Sequence, residues 1–372
     1  MIKVDKGYII NEKLIKVMKG YEMNSNPFTL SFGKEPLELV SRSAQTNEII
    51  EDFTAANSST QIYMLTGIRG TGKTVTMTTL EKEFKKREEW ICIELNPERD
   101  MLMSLASKLY SEENLKKLFI KAKFDFSAFG LGASIEDGFI YTDIETVIVK
   151  MLEELKKHGK RLLVTIDEVL NNKDIRVFAA AFQIFIRHDL PIYALVTGLY
   201  ENIYNLQNEK SLTFLYRAPK IMLTPLNITA VSNRYKDTLG VTSEMARELA
   251  LLTKGYSFAF QVLGYLCWDN KDNLKEKLDS ILSRYDEYLE EYVYEKIWNE
   301  LSERDREILV SIANCDKDKV KVKDIRDERN LEPGNFSIYR TRLQKKGLID
   351  TSQYGYVSLV LPRFADFVKR YS

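Results

Sequence analysis

Histidine is nearly absent from this chain of 372 residues: His158 stands at a lysine-rich stretch and His188 shortly before Pro191, and there are no others. That poverty sets aside histidine-based hydrolysis and most metalloenzyme chemistry, which need imidazoles as base or ligand. The three cysteines, Cys92, Cys267 and Cys315, lie far apart and form no Cys-x-x-Cys pair, which argues against a disulfide framework and against a zinc cluster. No apolar run approaches the roughly 18 to 20 residues that a membrane span needs. The opening MIKVDKGYIINEKL also lacks an apolar targeting core. A soluble, cytoplasmic protein without a membrane partner is expected. Net charge is absent too: Lys+Arg and Asp+Glu each number 54, so no global basic field draws nucleic acid or anionic lipid, and any such binding must be local.

What is present is material for folding. With 44% hydrophobic and 29% charged residues the chain has ample core-forming content. Its length exceeds what one core usually serves, so two or three packed units are expected. An amphipathic helix over residues 11–19 opens a lead-in, 1–35. Short apolar strands are expected at residues 62–65, 90–95, 161–167, 192–197 and 221–223, separated by helices. That alternation implies an α/β fold whose five-stranded parallel sheet is covered on both faces. Residues 124–137 read as a strand or hairpin insertion, either a covered edge or a partner contact. After Pro225 helices take over. From Glu303 the order becomes helix, helix, a turn at Pro333-Gly334, helix over 335–346 and hairpin over 348–361, which is the order of a winged helix.

The strongest chemical signal is Gly67-Ile68-Arg69-Gly70-Thr71-Gly72-Lys73-Thr74, a G-x-x-x-x-G-K-[ST] loop between a strand and a helix that continues with Val75. Backbone N–H groups and the helix N-terminus cradle phosphates there, and the glycines permit the close approach. Lys73 is placed to reach the β and γ phosphates and Thr74 to ligand Mg²⁺. The apolar strand Leu162-Leu163-Val164-Thr165-Ile166 ends in Asp167-Glu168, where Asp167 would hold Mg²⁺ and Glu168 would activate the attacking water. No Asn/Thr-Lys-x-Asp guanine motif follows the sheet, so ATP rather than GTP is expected.

These motifs, with the helical region and the winged helix behind them, resemble AAA+ ATPases of the initiator type and the related archaeal-type and STAND ATPases over most of the chain. The resemblance implies domains at 36–225 (nucleotide-binding), 226–300 (helical lid) and 301–372 (winged helix). Pro36-Leu37-Glu38-Leu39-Val40-Ser41-Arg42 is similar to the family's adenine-flanking lead-in, making Val40 and Arg42 candidate base or ribose neighbours. A polar sensor is implied at the tip of the fourth strand, where Thr197 stands. Alternatively, that threonine caps the following helix. An arginine finger reaching a neighbouring subunit is implied before the fifth strand, at Arg217. The sequence departs from its relatives in the lid. Initiator-type proteins carry a Gly-x-x-Arg sensor and STAND proteins a glycine-proline signature, whereas Phe258 occupies the arginine's place here and Ser257 the proline's.

Residues 301–372 hold 15 basic against 11 acidic residues, and the helix over 335–346 carries four basic residues and no acid. Phe336, Tyr339 and Leu343 form one apolar face, which leaves Ser337, Thr341, Arg342, Lys345 and Lys346 as candidate contacts to duplex DNA. Tyr354 and Tyr356 flank Gly355 at the expected wing tip. Two functions follow. In one, ATP hydrolysis is coupled to conformational or oligomeric change on DNA. In the other, a STAND-like switch uses the winged helix to bind protein.

Overall fold

The computed structural model describes residues 25–31, 36–122, 124–125, 127, 130, 139–140, 143–315 and 317–371. The helix expected over 11–19 lies outside them, as does most of the insertion over 124–137. Helix α1 (Ser43–Thr54) leads into β1 (Ile62–Thr66), the loop and α2 (Lys73–Lys85). Then come β2 (Trp90–Leu95), α3 (Met101–Ser111), α4 (Glu113–Lys121), and the short strands β3 (Phe124–Asp125) and β4 (Phe139–Ile140). These two pair in parallel, so a simple hairpin, which requires antiparallel strands, does not form there. Next follow α5 (Ile144–Lys157), β5 (Arg161–Ile166), α6 (Lys173–Arg187), β6 (Ile192–Gly198), α7 (Tyr200–Gln207) and β7 (Lys220–Met222).

The main sheet has five strands in the order β2-β5-β6-β1-β7, all parallel. Its central strands are continuous apolar runs because both faces are covered. Every residue of β1 and β6 is buried, and so is all of β5 except Arg161. One face packs on α3, α5 and α6 through Leu105, Met151 and Phe182. The other packs on α1 and α2 through Phe53, Leu80 and Phe84. Because β1 lies between two strands that follow it in sequence, the strand order reverses beside it. In open α/β sheets, ligands bind at the carboxyl ends of the strands at such a reversal.

Beyond β7 come α8 (Ile228–Leu239), α9 (Ser243–Leu252), α10 (Ser257–Trp268) and α11 (Leu274–Leu289), then a π-helical turn and α12 (Glu295–Asn299). The remainder is α13 (Glu303–Asn314), β8 (Val320–Lys321), α14 (Val322–Glu328), α15 (Pro333–Lys345), β9 (Ile349–Asp350), β10 (Tyr356–Leu359) and α16 (Phe364–Arg370). The last three strands form an antiparallel sheet in the order β8-β10-β9. Pro333-Gly334, expected as a turn, instead opens α15. Proline suits a first helical turn, where its missing N–H has no partner to lose.

One hydrophobic core runs from α8 to the end of the chain, joining Tyr235, Phe260, Tyr285, Tyr294, Trp298, Leu343 and Phe367. Phe28, ahead of the first helix, belongs to it as well. Gly264 makes room for Phe28, whose ring would lie 2.4 Å from an added Cβ. Among the described residues no helix is long and apolar enough to cross a membrane.

Candidate functional site

The loop after β1 turns straight into α2, whose N-cap is Gly72 in the left-handed conformation, so the helix's free N–H groups face the loop. Lys73 is 9% exposed and its Nζ donates to the carbonyls of Gly67 and Ile68, both at 3.0 Å. Thr71 closes the loop from inside, its Oγ1 donating to Ile68 O at 2.9 Å. Across the sheet, Thr74 Oγ1 donates to Asp167 Oδ2 at 2.7 Å. Strand β5 delivers Asp167 and β1 with α2 delivers Thr74, so residues 93 positions apart meet because the sheet order places them together.

Thr197, fully buried in β6, donates to Asp167 Oδ1 and accepts from the Glu168 backbone N at 3.2 Å. It does not cap α7, whose N-cap is Leu199 with no side-chain bond. Glu168 itself is exposed and has φ of 51°, a left-handed conformation that non-glycine residues adopt at a cost and that recurs at functional positions. Its backbone N–H also reaches Asp167 Oδ1 at 3.1 Å, so the turn presenting the carboxylate is held by neighbours on two strands.

The start of α10 closes over the loop. Phe258 N donates to Gly70 O at 3.1 Å, Ser257 Oγ to Thr71 O at 3.0 Å, and Tyr256 Oη to Arg69 O at 2.5 Å. Gly70 sits so close that an added Cβ would fall 2.0 Å from Tyr256 Oη, and its φ is +78°. No side chain fits there. Arg42 links the loop to α10, donating to Thr71 O at 3.0 Å, Ser257 Oγ at 3.1 Å and Thr224 O at 2.5 Å. Burial lowers the Arg42 guanidinium to about 10, which leaves it charged at neutral pH. Val40 is buried in an adjoining cleft with Leu226, Phe260 and the Gly72–Val75 end of the loop. The larger cavity, about 640 Å³, takes in Lys73, Thr74, Val75, Glu168, Arg69 and, from far along the chain, Lys296 and Glu300.

The loop, Asp167, Glu168 and Thr197 therefore come together, with Val40 and Arg42 beside them. Arg217 does not join them. It is exposed at the end of a 3-10 turn before β7, lines none of these cavities and has no ion pair among the described residues. Ser337 lies exposed on α15. Expectation and structure part over the basic side chains there. Arg342 faces inward to Asp305, with Nη2 2.7 Å from Oδ1. Lys346, with a side chain 16% exposed, pairs with Glu201 at 2.7 Å, and Lys345 lies over the rings of Tyr200 and Tyr204 at 5.7 and 5.3 Å. Thr341 is half-buried. Arg342, Lys345 and Lys346 thus already have partners within the chain.

The residues fit a magnesium nucleotide. A hydroxyl and a carboxylate 2.7 Å apart offer hard oxygen ligands, and magnesium takes one or two carboxylates with phosphate and water oxygens completing the octahedron. Among the described residues no group of three or more His, Cys, Asp or Glu forms a metal cage. Arg69 Nε is buried without a hydrogen-bond partner, a donor left over beside the cradle.

Burial pushes the Lys73 ammonium down to about 8, against the pull of Glu168 and Asp167 and with the help of Arg69. Above about pH 8 this charge is lost, and a phosphate held against Lys73 would restore it. Nucleotide binding should then take up a proton, and affinity should fall by up to about tenfold per pH unit. Calorimetry at pH 7 and pH 9 in buffers of different ionisation heat measures both. The same lowering makes the empty fold more stable as pH rises from 8 toward the ordinary lysine range, where the unfolded chain holds the extra proton.

Sheet order, phosphate loop and acidic strand end define the fold of P-loop ATPases of the AAA+ class. Among solved structures, a Walker-type ATPase of Pyrococcus abyssi superposes with a TM-score of 0.59 at 16% identity, covering 89% of this chain and 96% of that one. Cdc6p from Pyrobaculum aerophilum (TM-score 0.46, 14% identity, 91% and 95% covered) and the ADP form of ORC2 from Aeropyrum pernix (0.47, 13%, 91% and 96%) are more distant. At 16% identity the likeness to the Pyrococcus abyssi protein speaks for the fold alone. Residues 291–368 match the family described as a domain of unknown function (DUF8462). No curated protein matches the sequence significantly.

Proposed function

We propose that the chain binds and hydrolyses ATP with Mg²⁺, and that nucleotide state controls how its C-terminal part sits on the phosphate loop. The observation that supports this best is the Thr74–Asp167 pair at the mouth of the loop, with Glu168 presented beside it. Lys73 and the loop amides hold the phosphates, Thr74 and Asp167 hold the magnesium, and Val40 and Arg42 border the base and ribose. Bound magnesium neutralises charge on the phosphates. Glu168 orients a water and takes its proton. Thr197 fixes the Asp167 carboxylate and the Glu168 turn, a positioning role. Arg217, exposed and without an ion pair among the described residues, serves a neighbouring copy as an arginine finger.

The domain reading is 36–225 for the nucleotide unit, 226–300 for the lid and 301–372 for a winged helix. Of the two roles, the engaged Arg342, Lys345 and Lys346 favour the switch, because three of the four basic residues on the helix that would enter a DNA groove are engaged with the protein itself. Duplex binding is the second reading, and it requires α15 to leave that surface.

The test is Mg²⁺-dependent ATP hydrolysis and nucleotide retention over a protein concentration series, with and without duplex DNA. A slow rate that ignores DNA, with nucleotide retained, supports the switch. A rate stimulated by DNA and rising faster than concentration supports a DNA-bound oligomer. Failure to bind nucleotide overturns both.

A further inference from the structure

Lys296, in the first turn of α12, and Glu300, its C-cap, lie one helical turn apart and more than 200 residues from the loop they face. Both line the cavity that contains Lys73, Thr74 and Glu168. The Glu300 carboxylate is 3.6 Å from Arg69 Nη2 and 3.6 Å from Lys296 Nζ, so one anion serves two cations. At that separation and partial exposure the pairs are loose, and they exchange readily for a better anion. Arg69 also has its buried Nε to give.

We infer that Arg69, Lys296 and Glu300 form a latch that responds to the terminal phosphate of a nucleoside triphosphate. That phosphate takes Arg69 and Lys296 from Glu300, and the C-terminal part lets go of the loop. The inference rests on the ATP binding proposed above. Guanidinium forks match phosphate oxygens better than a carboxylate held at a distance. Glu300, once deprived of its cations, faces phosphate charge across the same cavity and is repelled.

The movement is transmitted because α12 belongs to the C-terminal core through Ile297 and Trp298. That core touches the loop again at Ile68, where an added Cβ on Gly347 would fall 2.6 Å from Ile68 Cγ2. Lys346 pairs with Glu201 beside it. Displacing Glu300 therefore strains the Gly347 and Lys346 contacts. ADP, without the terminal phosphate, leaves Glu300 in place.

The experiment compares binding of a non-hydrolysable ATP analogue and of ADP to the full chain and to Glu300→Gln and Lys296→Ala, beside hydrogen exchange at residues 335–348. Glu300→Gln should tighten the analogue about tenfold and Lys296→Ala weaken it roughly fivefold, with ADP moving less than about twofold in either. In the unaltered protein, exchange near Gly347 should rise with the analogue and stay put with ADP. Equal shifts for both nucleotides, or exchange near Gly347 that is the same with both, overturn the latch alone. A chain that binds neither nucleotide overturns the latch together with the function proposed above.

Discussion

Glu168→Gln should lower the steady-state rate of ATP hydrolysis by about 10²- to 10⁴-fold, the range over which a positioned general base contributes. Binding should persist, because Glu168 reaches the Thr74–Asp167 pair through its backbone N–H, which the substitution leaves in place, and not through its carboxylate. Glutamine keeps the size and the left-handed turn that the Thr197 hydroxyl supports, so the change is chemical rather than conformational. Single-turnover hydrolysis with retained nucleotide counted by filtration separates the outcomes. A rate within a few-fold of the unaltered protein would remove Glu168 from the base's role.

Arg342→Ala should destabilise the C-terminal part by about 2 kcal/mol or more, since it strips a nearly buried carboxylate of its cation. Asp305, with a side chain 2% exposed, receives Arg342 Nε at 3.0 Å and Nη2 at 2.7 Å, while Ser302 Oγ receives Nη2 at 2.9 Å. Ser302 and Asp305 also cap α13, Ser302 Oγ donating to Asp305 Oδ2 at 2.8 Å. The arginine therefore ties α15 to the first turn of another helix. Arg342→Lys keeps the charge but loses the fork, and should recover only part of the loss. Adding Asp305→Asn to Arg342→Ala should restore stability in urea unfolding, because no unpaired charge is then left buried. Unchanged stability together with lost, salt-sensitive duplex binding would make Arg342 a DNA contact instead.

The loop between β1 and α2 was legible in the sequence because its information is local. The loop, the strand before it and the helix after it occupy consecutive residues. The three central strands were legible because burial on both faces demands continuous apolar runs, which β1, β5 and β6 supply, whereas the edge strands β2 and β7 are partly exposed. Thr197 was visible as a residue at a strand tip, but its bonds to Asp167 and Glu168 depend on β5 and β6 lying side by side. Glu300 and Lys296 gave no signal, since nothing near them in sequence mentions a phosphate loop 231 positions earlier. The outward face of α15 misled for a different reason. Helical periodicity separates the side facing its own core from the other side, but cannot say that the other side meets a second core. Lys345 and Lys346 point away from Phe336 and Leu343 and toward Tyr200, Tyr204 and Glu201.

The order of strands in the main sheet also bears on how the chain is made. Among the described residues, strand β1 pairs with β6 and β7, while β2 pairs with β5 alone. During synthesis the phosphate loop and its apolar strand therefore emerge without a sheet partner, and wait until residues 192–198 have left the ribosome. Over that interval Ile62–Thr66 is a bare sticky segment, and the nascent protein depends on slow closure of distant contacts before its most adhesive strand is covered.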